Sequence, residues 1–283
     1  MENLYLVIII LCISLQHITK KIYNIKHNYG TFTFAFATVT VALIVYSIIA
    51  LGNFRFNIGV AWYSLGFALS YSVAAVTSLF ALNHGPLSLT SLITAFSLII
   101  PTLYGLFALG EPLSITLVIG LILLILCLVL IKFESTDNKK ITLKWVIYVT
   151  LAFLGNGICS TVQKVQQINF NGEYKNEFMV TAFLISAVIL LIISLIIERK
   201  VFMKTLHHGF LWYGLCGFGN GMVNLLVMAI SLSVAASVMF PVMSVGSITL
   251  TALVSVFAFK ERLSPYQKLG VLSGLFSIVF LNL

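Results

Sequence analysis

The sequence predicts an all-α membrane protein: ten transmembrane helices arranged as two inverted five-helix repeats. Three observations carry that expectation, namely the scarcity of charge, the length and number of the apolar runs, and a recurrence of short motifs at a constant offset. Of 283 residues, 60% are hydrophobic and only 8% are charged, where soluble domains run near a quarter charged. No water-soluble fold can hide so much apolar surface. A bilayer core about 30 Å thick asks for roughly 20 mostly apolar residues per helix, so ten helices and short loops fit the chain length.

The first apolar run, 4–19, follows Glu2 and precedes Lys20, Lys21 and Lys26. A cleavable signal carries its positive charge before the apolar region, so this run is read as a spanning helix. Runs 32–51, 58–82, 86–109 and 113–131 complete a first half, residues 1–132. A polar loop, 133–144, separates it from the second half, 145–283, with runs 145–162, 178–197, 210–230, 235–259 and 265–283. Runs of this length without alternation exclude barrel strands of about ten residues.

The halves resemble each other. Trp62-Tyr63-Ser64-Leu65 recurs as Trp212-Tyr213-Gly214-Leu215, Glu111-Pro112-Leu113-Ser114 as Glu261-Arg262-Leu263-Ser264, and Gly120 as Gly270, all at a spacing of 150. Cys12 with Gln16 matches Cys159 with Gln163 at 147, which a loop-length difference accommodates. Five helices per half is an odd number, so the second half enters the membrane from the opposite side. Inverted repeats favour a binding site near the midplane, reached alternately from either side.

The net charge of +8 does not mark a nucleic-acid binder, because Lys and Arg sit between apolar runs. They are topology determinants instead. Thirteen of them fall in the loops after the first, fifth, seventh and ninth helices, and only Arg55, Lys164 and Lys175 on the other side. By the positive-inside rule both termini are then outside. The four cysteines, Cys12, Cys127, Cys159 and Cys216, lie in apolar runs and read as packing residues rather than a disulfide framework.

The Glu-x-Leu-Ser step before the last helix of each half, seen as Gly110-Glu111-Pro112-Leu113-Ser114, is followed by a glycine-containing apolar run. With the duplication, it resembles the EamA family of the drug/metabolite transporter superfamily over nearly the whole chain. The resemblance implies a permease for small metabolites in the cell membrane, with a central cavity lined by the first, third and fourth helices of each repeat. It also implies cytoplasmic termini, against the charge distribution.

Ionisable groups inside a membrane are expensive and usually functional. All eight acids fall in loops or at helix ends, so no buried carboxylate is expected as a proton carrier, unlike small multidrug exporters of the same superfamily. Catalysis is not expected either: there is no paired acid, no activated nucleophile, and neither His-x-x-x-His nor Cys-x-x-Cys. No metal or cofactor is implied. The expected partners are a small-molecule substrate and membrane lipid.

Polar residues within the runs form two seams. On the fourth helix Ser91, Thr94, Ser97, Pro101 and Gly105 are spaced by three and four; Pro241, Ser244, Ser247, Thr251 and Ser255 occupy the same positions plus 150 on the ninth. Such spacing lines one helix face. The seams read as cavity lining with Pro101 and Pro241 as helix breaks, or as small residues that let helices approach. Gln16 and Gln163 are further cavity candidates, since an amide facing lipid lacks partners. Lys20 and Lys164 near them read as snorkelling cations. Asn220 and Asn224, four apart, either hold a polar solute or bond between helices. Trp62, Tyr63, Trp212 and Tyr213 suit interfacial anchoring. Glu111 and Glu261 are expected to cap the helices after them. A neutral lining of hydroxyls and amides suits an uncharged or zwitterionic solute such as an amino acid. The alternatives on the same fold are a lipid or lipid-linked sugar flippase and a drug exporter.

Overall fold

A computed structural model describes residues 2–27, 29–50, 54–55, 57–84, 93–94, 96–132, 142–259 and 265–281. Ser91 and Glu261, and all but the end of the loop 133–144, lie outside the described residues. Ten helices occur among the described residues: α1 (Glu2–His27), α2 (Thr31–Ala50), α3 (Ile58–His84), α4 (Ile99–Ala108), α5 (Ile115–Lys132), α6 (Leu143–Asn169), α7 (Lys175–Ile197), α8 (Phe202–Ile230), α9 (Ala236–Phe259) and α10 (Pro265–Leu281). Six of them, α1 to α3 and α6 to α8, contain stretches long and apolar enough to cross a membrane, and the other four contain shorter apolar stretches.

The surface is what a bilayer solvates. Leu184, Val188, Ile192 and Leu195 are all exposed on α7, and their spacing of three and four makes one outward apolar face. The protein is an all-α membrane protein. Its interior holds two large clusters. One packs Tyr46 of α2, Phe67 of α3 and Phe178 and Phe183 of α7, with edge-to-face contacts at 5.6 Å for Tyr46–Phe183 and 5.7 Å for Phe67–Phe178. Such contacts add about 0.5–1.5 kcal/mol beyond area burial. The second packs Ile9 of α1, Ile230 of α8 and Met239 and Phe240 of α9.

Helices from opposite halves interleave. The main packing pairs between the halves are α3–α6, α1–α8, α2–α8, α3–α7, α2–α7, α1–α9, α4–α6, α4–α9 and α5–α10, and within the second half α9 packs on α10.

Three helices run further than the apolar pattern predicts. α1 continues through His27, so Lys20 and Lys26 ride on helix rather than in a loop. α8 begins at Phe202, eight residues before the apolar run. α6 runs past residue 162 to Asn169. Polar composition suggests an end there, but Gln163, Lys164, Gln166 and Gln167 are all buried in protein, where side chains and carbonyls replace water as partners. Gln166 Nε2 donates to the Glu173 carbonyl at 3.2 Å, across a turn that holds Asn171, Gly172 and Tyr174 at positive φ.

The seam on the fourth apolar run is interrupted at Ser97–Leu98, and α4 starts at Ile99 with Pro101 in its first turn. Proline is tolerated there, because a first-turn N–H has no partner within the helix. Pro241 behaves differently. It lies inside α9, which runs on without interruption, so it withholds one N–H but does not break the helix.

Candidate functional site

Four helices meet at a buried chain of uncharged polar groups. Asn220 and Asn224 are one turn apart on α8, so both point the same way. Asn224 Nδ2 donates to the Asn220 carbonyl at 2.8 Å and to Asn220 Oδ1 at 2.9 Å. Gln163 of α6 donates from Nε2 to Asn224 Oδ1 at 2.7 Å, with the Met179 sulfur of α7 at 3.6 Å. At the other end, Asn220 Nδ2 donates to Tyr71 Oη of α3 at 3.2 Å. Gln163, Asn220 and Asn224 are 5%, 7% and 8% exposed, so water does not compete for these bonds. Gln16 is half-buried and packs against α8 at Gly219, on a face next to that of Asn220 and Asn224: a Cβ at Gly219 would lie 3.3 Å from its Cγ.

The chain can exchange hydrogen bonds with a hydroxyl, amide or carboxylate, but it carries no charge of its own. Tyr71 and Met179 were not singled out in the sequence. Neither sits in a polar pattern, and only the convergence of α3 and α7 on α8 brings them in.

The hydroxyl seams are satisfied differently. Ser97 Oγ donates to the Thr94 carbonyl at 2.6 Å, Thr102 Oγ1 to the Leu98 carbonyl at 2.7 Å, and Ser247 Oγ to the Ser244 carbonyl at 3.0 Å. These are local bonds of three or four residues, the usual resort of a hydroxyl in a helix. A bond from the first half reaches the second seam, from Ser14 Oγ of α1 to the Ser247 carbonyl at 3.2 Å. Where α4 meets α9, Thr102, Pro241 and Ser244 border a cavity of about 10 Å³. That is room for about one water, too little for a solute.

The turn from α8 to α9 is bracketed by two charges. Lys164, 4% exposed, reaches from α6 to the carbonyls of Ser231 and Val234, the latter at 2.7 Å. Glu111 accepts from the amides of Ala236 and Ser237, both at 2.7 Å. A cation on the C-cap carbonyl of α8 and a carboxylate on the first amides of α9 both complement the helix macrodipoles, and the second carbonyl that Lys164 holds, Val234, lies in the turn between them.

Two expectations are corrected here. Glu111 caps a helix, but it is α9 of the other half, not α5 directly after it. Lys164 does not snorkel; it is held inside by backbone carbonyls. The chain turns at Gly110, φ 66°, with Glu111 N donating to the Gly105 carbonyl at 3.1 Å, which turns the carboxylate back over α4. Gly105 makes the niche: a Cβ there would run into Glu111 Oε2 and lie 2.9 Å from Ala236 Cβ.

Another acid holds a helix end in the same way. Glu198 accepts from the amides of Phe32 and Thr33 at 3.1 and 2.8 Å and from Thr33 Oγ1 at 2.8 Å, capping α2. Glu177 accepts from Arg55 N at 2.8 Å. Of the aromatic anchors, Trp62 is 69% exposed, while Tyr63 Oη accepts from Asn169 Nδ2 at 2.6 Å and Tyr213 Oη donates to the Leu206 carbonyl at 3.2 Å.

No family model matches the chain, and no curated protein is similar to it by sequence. Solved structures similar in fold include a protein known from its crystal structure, with a TM-score of 0.83 over 99% of this chain and 95% of that one, at 14% identity. At this identity the likeness speaks for the fold alone.

Proposed function

We propose that this chain is a secondary transporter of the drug/metabolite type, close in build to the EamA family. In this reading ten helices span the cell membrane as two inverted five-helix repeats. It carries a small neutral or zwitterionic metabolite, such as an amino acid, by alternating access, and has no enzymatic activity.

One observation carries the reading. Advancing each helix number by five, cyclically, turns the α3–α6 packing pair into α8–α1, α2–α8 into α7–α3 and α1–α9 into α6–α4, while α2–α7, α4–α9 and α5–α10 map onto themselves. Each of these nine pairs between the halves has its counterpart; α9–α10, within the second half, has none of comparable extent among the described residues. That correspondence between the halves is the relation expected of two equivalent repeats, and it agrees with the motif spacings of 150 and 147. In such a carrier the closed α4–α9 contact separates in at least one state, and the amide chain of Gln163, Asn224 and Asn220 receives the solute. The Lys and Arg distribution favours both termini outside, and the resemblance to the EamA family favours both inside.

The test is uptake into proteoliposomes. Saturable flux of an amino acid or another uncharged metabolite is expected, and Gln163→Ala and Gln16→Ala are each expected to reduce it about tenfold, the equivalent of one or two hydrogen bonds. Parent-level flux in both variants would remove the two glutamines from the site. Movement of a fluorescent lipid without metabolite flux would transfer the assignment to a flippase.

A further inference from the structure

The end of the bundle where α1 finishes and α8 begins carries a cluster that the transport site does not use. Lys26 Nζ stands 5.0 Å from the Trp212 ring centre, and Lys204 Nζ 4.7 Å from that of Tyr29. Between them the His27 and His208 rings are 6.0 Å apart, and His207 lies 5.3 Å from His208. Lys26, Lys204, His207 and His208 are exposed. Glu198, the acid at the neighbouring end of α7, is committed to the amides of α2. The first turn of α8 has no acidic residue, and its N-cap Val201 provides no side-chain acceptor, so the positive end of the helix dipole adds to the same field.

An apolar strip on α8 adjoins these cations. Met203, Phe210 and Leu211 are 72%, 70% and 58% exposed, and the span long and apolar enough to cross a membrane begins at Phe202. From Lys204 to Trp212 the helix rises about 12 Å, the distance from headgroup level to the upper acyl region. The aromatic faces fix the ammonium groups in place and leave their protons free for an anion.

We propose that this face, where α1 ends and α8 begins, binds one anionic phospholipid, its headgroup at the basic cluster of Lys26 and Lys204 and an acyl chain along Met203, Phe210 and Leu211. A soluble acidic partner would find the lysines but would leave the adjoining apolar strip unused. The inference rests on the membrane reading alone, not on the transport assignment.

The test compares purified protein reconstituted in phosphatidylcholine vesicles with and without phosphatidylglycerol. The parent is expected to retain phosphatidylglycerol through a detergent wash, measured by mass spectrometry, and to unfold at a higher temperature in its presence. Lys26→Gln with Lys204→Gln lowers that retention severalfold and abolishes the shift. Lys26→Arg with Lys204→Arg restores both, and Arg55→Gln at the opposite end changes neither. Equal retention by the glutamine pair and the parent overturns the proposal. So does stabilisation of lipid-stripped parent by inorganic phosphate to the same extent, which makes the site one for a free anion. Binding of an acidic peptide in place of phosphatidylglycerol also overturns it, and makes the surface a protein interface.

Discussion

Two contacts on the matching helix pairs α4–α6 and α1–α9 are built with their roles exchanged, one turn apart along α4 and α9 (246 − 150 = 96, against 100). On α6, Gly157 admits Ile100 of α4: a Cβ at 157 would run into Ile100 Cδ1 and lie 2.8 Å from the Ser97 carbonyl oxygen. The matching position on α1 is Ile10, since 157 − 147 = 10, and there the glycine is on the other side. A Cβ at Gly246 of α9 would run into Ile10 Cδ1 and lie 2.8 Å from its Cγ1. Both contacts pair an isoleucine with a glycine. Close packing constrains the summed volume at a contact rather than which helix supplies it, so two halves can keep a packing relation after the residues that make it have traded places. The contacts differ in one respect: position 157 faces backbone as well as side chain, whereas the three atoms nearest position 246 all belong to the Ile10 side chain.

That difference sets the order of effects. Gly157→Val is expected to lower stability most, by about 3 kcal/mol for overpacking against a carbonyl that cannot rotate away, and Ile100→Ala in the same chain recovers only part of it. Gly246→Val costs about 1–2 kcal/mol, and Ile10→Ala recovers nearly all of it. Unfolding of the detergent-solubilised protein measures both cycles, and equal losses with equal recovery would erase the distinction between the contacts.

The two ends of the bundle sharpen the comparison further. Glu111→Gln is expected to cost about 1–2 kcal/mol, because it weakens two charge-assisted bonds to the start of α9 and leaves the nearby Lys164 without its counter-charge. Gly105→Ala should reproduce that loss by occupying the carboxylate's niche. Glu198→Gln, which has no buried cation beside it, costs about 1 kcal/mol by weakening the α2 cap. Should Glu198→Gln prove the larger, the α8–α9 turn is not the more tightly held end. Trp62→Ala is the smallest, below about 0.5 kcal/mol in detergent, since the ring is 69% exposed.

Much of the candidate site was legible one residue at a time. Gln163, Asn220 and Asn224 stood out because amides in apolar runs require partners. That the three bond to one another was not legible, since Gln163 and Asn220 are 57 positions apart (220 − 163 = 57) and no periodicity relates α6 to α8. Ser97 and Ser247 were equally visible as polar, yet their hydroxyls turn back to carbonyls of their own segments, an option that sequence spacing leaves open. Lys164 was the furthest from its expected place. A lysine near an apparent helix end snorkels by default, and only the arrival of the Ser231 and Val234 carbonyls keeps it inside.

By itself the sequence determined that this chain is helical and that it belongs in a membrane, because those properties depend on continuous apolar length and on the absence of charge within it. Only the tertiary structure decided which helix each polar group serves. Glu111 caps α9 rather than α5, and Gln163 joins Asn224, because the stability of a buried charge or amide depends on which backbone and side-chain partners come within hydrogen-bond reach. Those partners come from helices distant in the sequence.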